Sequence, residues 1–338
     1  MNVLIIRLSA MGDVAISIPV IKTVCEKYPD TDFFMLTNKL FNPFFKNIQN
    51  ITLINPELKG KHHGFLGLYK LYKEIKREFE IDLVIDLHDV IRSKVIRNFF
   101  KFSGAKTYKI DKGRDEKQLL TRKVNKILKQ LKHSAERYMD VFIDAGFKFK
   151  INKNLVSRIE QLPSNFKFYL ETKKIGIAPF AMHKQKQYPI EKVEKLIDLL
   201  NNKKYEIFIL GGGSNEKKIA ELIQNKFENV SSLIGKYSLE EEIEIISNLN
   251  LMISMDSSNM HIAALTGIKI VSIWGATHPF AGFIPFISDN KSFIVQNENL
   301  SCRPCSVYGN KECYKGTLEC FDIKPIDIFN VCEKALKT

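Results

Sequence analysis

Residues 2–28 read NVLIIRLSAMGDVAISIPVIKTVCEKY, and this stretch decides the fold. Its first seven residues form a short apolar run with the length of a buried strand. Ser9–Asp13 follow as a loop holding Gly12, and a helical stretch then runs to about Tyr28. A strand passing through a short loop into a helix is the opening of a βαβ unit. Short apolar strands recur at Asp32–Leu36, Ile51–Ile54 and Leu83–Asp86, with helical patterns at 64–79 and 91–101 between them. Such alternation predicts a parallel sheet covered on both faces. A long polar helical region over 115–146 closes this half.

Residues 151–173 lack a strand pattern and hold Pro163, so the domain boundary is placed there. Strands are then expected at Lys174–Ala178, Glu206–Leu210, Leu251–Ser254 and Lys269–Ile273. Helices are expected at 190–201, 215–226, 239–248 and 258–266. The predicted fold class is α/β, with two doubly wound, Rossmann-like domains over 1–165 and 170–322. Their ligands belong in a cleft at the carboxyl ends of the strands.

The 338 residues include 45% hydrophobic and 26% charged side chains, a globular composition. The apolar run of residues 1–8 is too short for a signal peptide and Arg7 interrupts it. Nowhere do 18 apolar residues run together, so no spanning helix is expected. Six cysteines without an export signal point to a reducing compartment, the cytoplasm. Net charge is +13. Residues 1–160 hold 30 Lys and Arg against 18 Asp and Glu, and residues 161–338 hold 21 against 20. An anionic partner for the first half is one reading, and a solubilising Lys-rich surface is the other. Nucleic acid is disfavoured, because the second half is near neutral and carries no recognised nucleic-acid motif. Neither G-x-G-x-x-G nor a P-loop appears, which argues against dehydrogenase and NTPase chemistry.

Five strand-end loops could carry chemistry. In the first, Gly12 permits close backbone approach, and Asp13 is either a helix cap or a general base at the cleft. The second, Ala178–Pro189, holds Lys184 and Lys186, which either neutralise a diphosphate or are simply solvated, and ends on a proline suited to opening a helix. The third is Leu210-Gly211-Gly212-Gly213-Ser214, fit for a nucleotide or for any tight βα turn. The fourth, ISMDSSNMHIAALTG from Ile253 to Gly267, puts Asp256, Ser257, Ser258 and His261 at a helix start, where free amides could cradle a diphosphate, with His261 either structural or part of that site. The fifth is WGATHP, residues 274–279.

Taken in order, these loops resemble the ADP-heptose:lipopolysaccharide heptosyltransferases, glycosyltransferase family 9. RLSAMGDV at 7–14, Lys186-x-Tyr188-Pro189, the LGGG turn, GKYSL at 235–239, DSSNMHIAALTG and WGATHP carry the likeness. It implies a GT-B fold, an inverting mechanism, no required cofactor or metal, an acceptor site in the first domain and a nucleotide-sugar site in the second. Asp13 matches the family's proposed base and Lys186 its phosphate-binding lysine. Asp256, Ser257, Ser258 and His261 match the donor motif, to which Gly12, Gly212, Gly213 and Lys236 are added. His88, Arg92 and Ser93, in DLHDVIRS, fall among the acceptor-side polar residues. Ser258, Tyr188 and His278 depart from the residues many members carry. By analogy with GT-B folds, the final helix, 323–338, would cross back onto the first domain. The partners implied are an ADP-sugar and a phosphorylated glycolipid at the inner face of the cytoplasmic membrane.

An anionic membrane surface would meet the basic first half. Residues 64–79 could lie in its interface, although an apolar stripe at that spacing packs more often on its own sheet. Cys302, Cys305, Cys313 and Cys320 are either free thiols or the ligands of a structural zinc. Asp30-Thr31-Asp32, which mimics a metal-binding Asp-x-Asp, reads as a turn. A nucleotide-sugar epimerase or hydrolase, or a non-catalytic glycolipid-binding module, are the competing functions.

Overall fold

Val3, Leu4, Ile5 and Ile6 are fully shielded from solvent, so neither face of the first strand meets water. That is why the run is continuously apolar rather than alternating. A computed structural model describes residues 1–153 and 159–338. The first strand, β1 (Asn2–Ile6), is central among β2 (Asp32–Leu36), β3 (Ile51–Ile54), β4 (Leu83–Asp86) and β5 (Lys106–Lys109). Among the described residues the order is β3-β2-β1-β4-β5, and every pairing is parallel. Three helices, α1 (Met11–Lys27), α2 (Gly64–Glu78) and α3 (Ile91–Phe102), connect these strands. The apolar faces of α2 and α3, including Leu68, Leu71, Ile75, Ile96 and Phe100, join one core with Leu4, Ile6 and Val84.

The second sheet contains β6 (Lys174–Ala178), β7 (Glu206–Ile209), β8 (Val230–Ser232), β9 (Leu251–Met255), β10 (Lys269–Trp274) and β11 (Ser292–Gln296). Its order is β11-β10-β9-β6-β7-β8, again parallel throughout. Each sheet therefore reverses strand order once, between β1 and β4 in the first and between β6 and β9 in the second. Such switch points leave a crevice at the carboxyl ends of the two strands concerned. The helices of this half described below are α6 (Ile190–Asn201), α7 (Ser214–Gln224), α8 (Leu239–Ser247) and α9 (Ser258–Thr266).

Unit boundaries differ from the expected division at 165–170. One unit comprises Met1–Lys112 and Ser134–Asn152, the other Gly113–His133 and Lys153–Thr338. Part of the expected boundary, 154–158, lies outside the described residues. The region 115–146 is not one helix: α4 (Arg114–Leu120) and α5 (Ser134–Asp144) are separate, and the chain between them leaves the first unit. Leu120 and Leu131 are buried in a small core with Ala281, and Leu131 N–H donates to the Phe280 carbonyl at 2.9 Å. Lys126 Nζ donates to the carbonyls of Cys302 and Pro304, at 2.6 and 3.0 Å. The strap 113–133, α4 included, carries seven Lys and Arg against two acids, so the basic excess is shared between the units rather than confined to the first.

The C-terminal helix α10 (Pro325–Lys337) also departs from expectation. Ile328, Cys332 and Ala335 are buried in the second unit's core, against α6 and β10. Its apolar stripe is satisfied within its own unit, and the second unit is where it belongs.

Candidate active site

In the first unit, the chain leaving β1 places Arg7 and Asp13 together. Arg7 Nη2 lies 2.6 Å from Asp13 Oδ2, with Arg7 buried and Asp13 partly open. Arg7 Nη1 donates to the Leu87 carbonyl at 2.6 Å, just beyond β4 on the other side of the switch point. From α5, Tyr138 Oη donates to Asp13 Oδ1 at 3.4 Å, and the Arg7 guanidinium lies over its ring at 5.5 Å. Asp13 is the third residue of α1, and the helix is capped by Ala10 without a side-chain bond. Its carboxylate is thus held by Arg7 and Tyr138 instead of serving as the cap. Both carboxylate oxygens are engaged, Oδ2 by Arg7 and Oδ1 by Tyr138.

His88 stands across the switch point, its Nδ1 accepting from Leu8 N–H at 3.4 Å. Burial, reinforced by the positive charges of Arg7, Lys112 and Arg92, pushes its pKa down to about 3. The ring is neutral at working pH. Stability from this group is complete above the ordinary histidine range and is lost as pH falls from about 6.5 toward 3. Arg92 is exposed at the start of α3. Ser93 is spent on structure: its hydroxyl accepts from Val90 N–H at 3.0 Å and donates to the Val90 carbonyl at 3.1 Å. Lys112, absent from the sequence-based set, donates to the Asp89 carbonyl at 3.3 Å and adds charge beside His88.

The second unit repeats the device. Lys186 follows β6 and Asp256 follows β9, and their Nζ and Oδ2 meet at 2.8 Å across the second switch point. Both are largely buried, so the ammonium is held in place by a carboxylate that itself has little water. Ser257 is the N-cap of α9 without a side-chain cap bond, and its hydroxyl lies 3.3 Å from that of Ser254. The first-turn amides of α9, from Ser258 onward, point where an anion would be stabilised. His261 is buried within that helix. Tyr188 is a core residue whose hydroxyl donates to the Ile323 carbonyl at 2.6 Å.

The three-glycine turn is different. Gly212 N–H donates to Glu216 Oε2 at 2.7 Å, so a carboxylate of α7 occupies the amide that a phosphate would use. Gly213 is the cap of α7 and Lys236 is exposed in the loop before α8. The carboxyl of Glu242, in the first turn of α8, was hidden in a Glu-Glu-Glu run and is pushed up to about 7 by burial. The folded chain then holds a proton that the unfolded chain has released between pH 4.5 and 7, and stability falls as pH rises through that window. Glu242→Gln is expected to remove a loss of about 2 kcal/mol between pH 5 and 8, read as a smaller drop in melting temperature. Parallel melting profiles for the two proteins would contradict it.

Lys186 is also shaped from behind. A side chain at Gly309 would stand 2.6 Å from Lys186 Cγ, on backbone with φ of +72°. Gly309→Ala is expected to displace the lysine and raise the donor KM roughly tenfold with kcat less affected, comparable to losing about 1.4 kcal/mol of binding. Unchanged kinetics would show that the loop does not support Lys186. Arg303 secures the same loop, donating to the Asn297, Trp274 and Thr277 carbonyls at 2.7, 3.2 and 2.9 Å. His278 is pushed down to about 4 by burial and by Arg303 and Lys126. Cys302, Cys305, Cys313 and Cys320 are free thiols. Among the described residues no three His, Cys, Asp or Glu side chains are grouped to hold a metal ion.

The model of glycosyltransferase family 9 (heptosyltransferase) matches residues 68–315. Lipooligosaccharide heptosyltransferase 2 of Campylobacter jejuni is 24% identical, over 97% of this chain and 96% of its own. A glycosyl transferase family 9 structure from Veillonella parvula superposes with a TM-score of 0.78 at 18% identity, covering 99% of this chain and 97% of its own. The Escherichia coli ADP-heptose LPS heptosyltransferase II gives 0.71 at 17% identity, covering 100% and 99%. The two doubly wound sheets are those of the GT-B fold. The chain belongs to glycosyltransferase family 9, the heptosyltransferases.

Proposed function

We propose that this enzyme transfers heptose from ADP-heptose to a phosphorylated glycolipid acceptor of the lipopolysaccharide core, with inversion and without a catalytic metal. The observation that carries the reading is the paired arrangement of charges at the two switch points. Arg7–Asp13 occupies the first and Lys186–Asp256 the second. The relatives named above, lipooligosaccharide and LPS heptosyltransferases, support the donor and acceptor classes.

In this mechanism Asp13 takes the proton of the acceptor hydroxyl as its oxygen attacks the anomeric carbon from the face opposite the diphosphate. Arg7 and Tyr138 aim the carboxylate. As the glycosidic bond to the diphosphate breaks, negative charge grows on the leaving oxygen. Lys186 and the first-turn amides of α9 supply fixed positive charge and dipoles for it. Asp256 keeps Lys186 in position before the donor arrives. Asp30-Thr31-Asp32 lies at the amino end of β2, the opposite edge from Asp13, so it has no part in the chemistry. No described helix is long and apolar enough to cross a membrane. The acceptor's lipid places the enzyme peripherally, on the cytoplasmic membrane face.

Calorimetric titration with ADP, UDP, GDP and NAD, without added metal, tests the donor half. ADP is expected to bind preferentially and to lose affinity in Lys186→Ala. Preference for UDP or GDP would overturn the heptose donor, and binding of NAD alone would overturn the glycosyltransferase site.

A further inference from the structure

The outward side of α2 and α3 is both greasy and basic. Helix α2 presents Phe65, Leu66 and Tyr69 to solvent, with 64%, 80% and 42% of their surface exposed. On α3, Ile91 and Phe102 are 81% and 86% exposed. The apolar stripe that holds α2 to the sheet is separate: Leu68, Leu71, Tyr72 and Ile75 are buried. The solvent-facing residues are thus surplus to the core. Phe99 joins the two helices, its ring centroid 5.5 Å from Phe65 and 5.3 Å from Tyr69.

Charge surrounds this apolar surface. At 100° per residue, Leu66, Tyr69, Lys70, Lys73, Lys76 and Arg77 fall on one broad face of α2. Among the described residues Lys70, Lys73, Lys76, Arg77 and Lys101 have no carboxylate within salt-bridge distance, whereas Lys61 is spent on Glu74. Lys73 lies over the Tyr69 ring at 5.6 Å, its stem along the apolar surface. The helix α3 itself contains four basic residues and no acid. A second copy of this face would bring like charges together, so self-association is opposed. Protruding aliphatic tips flanked by cations fit a lipid interface, into which apolar groups sink while Lys and Arg meet anionic headgroups.

We propose that the α2–α3 face docks the enzyme on an anionic phospholipid bilayer. The inference deepens the glycolipid-acceptor reading and rests on it for its purpose. Its chemistry is that of the lipid surface, not of the acceptor sugar.

The test is co-sedimentation of the full chain with vesicles of phosphatidylglycerol and phosphatidylethanolamine, or of phosphatidylcholine alone, with no acceptor present. The protein is expected to bind the anionic vesicles at low salt and to be released as salt rises. Lys73→Glu/Arg77→Glu should weaken partitioning by at least about 25-fold, taking about fivefold per basic residue. Leu66→Ser/Phe102→Ser, changes at side chains outside the core, should weaken it by at least about tenfold. Melting profiles serve as the folding control, and transfer to a detergent-dispersed acceptor should be unchanged in both variants. Three results would overturn the proposal: equal binding of wild type and variants, no binding to anionic vesicles, or a dimer or nucleic-acid complex lost in the same variants while vesicles are ignored. Vesicle binding as expected in a protein that transfers no sugar would leave the docking face standing and remove the functional reading instead.

Discussion

Asp13→Asn is expected to lower the transfer rate about 10³-fold while ADP affinity stays within about twofold, because a positioned general base contributes roughly that factor. The substitution keeps the size of the side chain and one oxygen toward Arg7, and removes the negative charge together with the capacity to accept the acceptor proton. Donor affinity should survive because Lys186, Asp256 and the start of α9 belong to the other unit. Turnover and donor binding, measured on the same preparation, separate the base from a mere ion-pair partner. Arg7 is buried, and losing its counter-charge costs stability as well. The melting temperature should therefore fall without the binding titration changing. Arg7→Lys provides a complementary readout: a single ammonium cannot hold both Asp13 and the Leu87 carbonyl as the guanidinium does. Its kcat should drop with KM little changed. Near-normal turnover in Asp13→Asn would reduce Asp13 to the partner of Arg7.

Lys186→Ala should weaken ADP binding and lower kcat/KM by about 10²- to 10³-fold, the usual cost of removing one charge from a developing anion. It also strands Asp256, whose side chain is only 6% exposed, and about 3 kcal/mol of stability should go with it. Two causes of lost activity are then mixed, and a second substitution separates them. Lys186→Ala/Asp256→Asn removes the stranded charge, so its melting temperature should recover toward wild type while ADP binding stays weak. Recovery of both would mean that Lys186 acts through folding alone. Lys186→Arg keeps the charge but must fit its wider head against the Gly309 loop, and an intermediate KM is expected.

Much of the fold could be read before the structure was known, and the reason is local. Strands β2, β3, β4 and β6 lie where apolar runs marked them, because short continuous apolar segments bounded by turns admit few alternatives. The strands that were not read, β5, β8 and β11, are edge strands. β5 reads Lys-Thr-Tyr-Lys and is half wet, so burial leaves no pattern on it. The strap at 113–133 was misread for a different reason. Its periodicity suggested a helix, but Leu120 and Leu131 are buried against Ala281, a partner about 150 residues away that no local window contains.

The site was legible where a loop follows a strand and illegible where two loops meet. Asp13, Lys186 and Asp256 each follow a strand end, and each lies in an ion pair at a switch point. Arg7 was not legible, since a lone basic residue in an apolar run carries no mark of its partner, and Tyr138 comes from α5, far along the chain. Ser93 and the Gly212 amide are engaged within their own helix starts. Polar residues at a helix start satisfy the helix itself as often as a ligand, and Val90 and Glu216 show that these two do so here.

The most direct measurement is a transfer assay with purified enzyme, ADP-heptose and a lipid A–core acceptor, with EDTA present and the product read by mass spectrometry and by anomeric NMR. The account predicts one added heptosyl residue of inverted anomeric configuration, lost in Asp13→Asn. Release of free heptose without acceptor, a retained configuration, or transfer abolished by EDTA and restored by a divalent cation would contradict it.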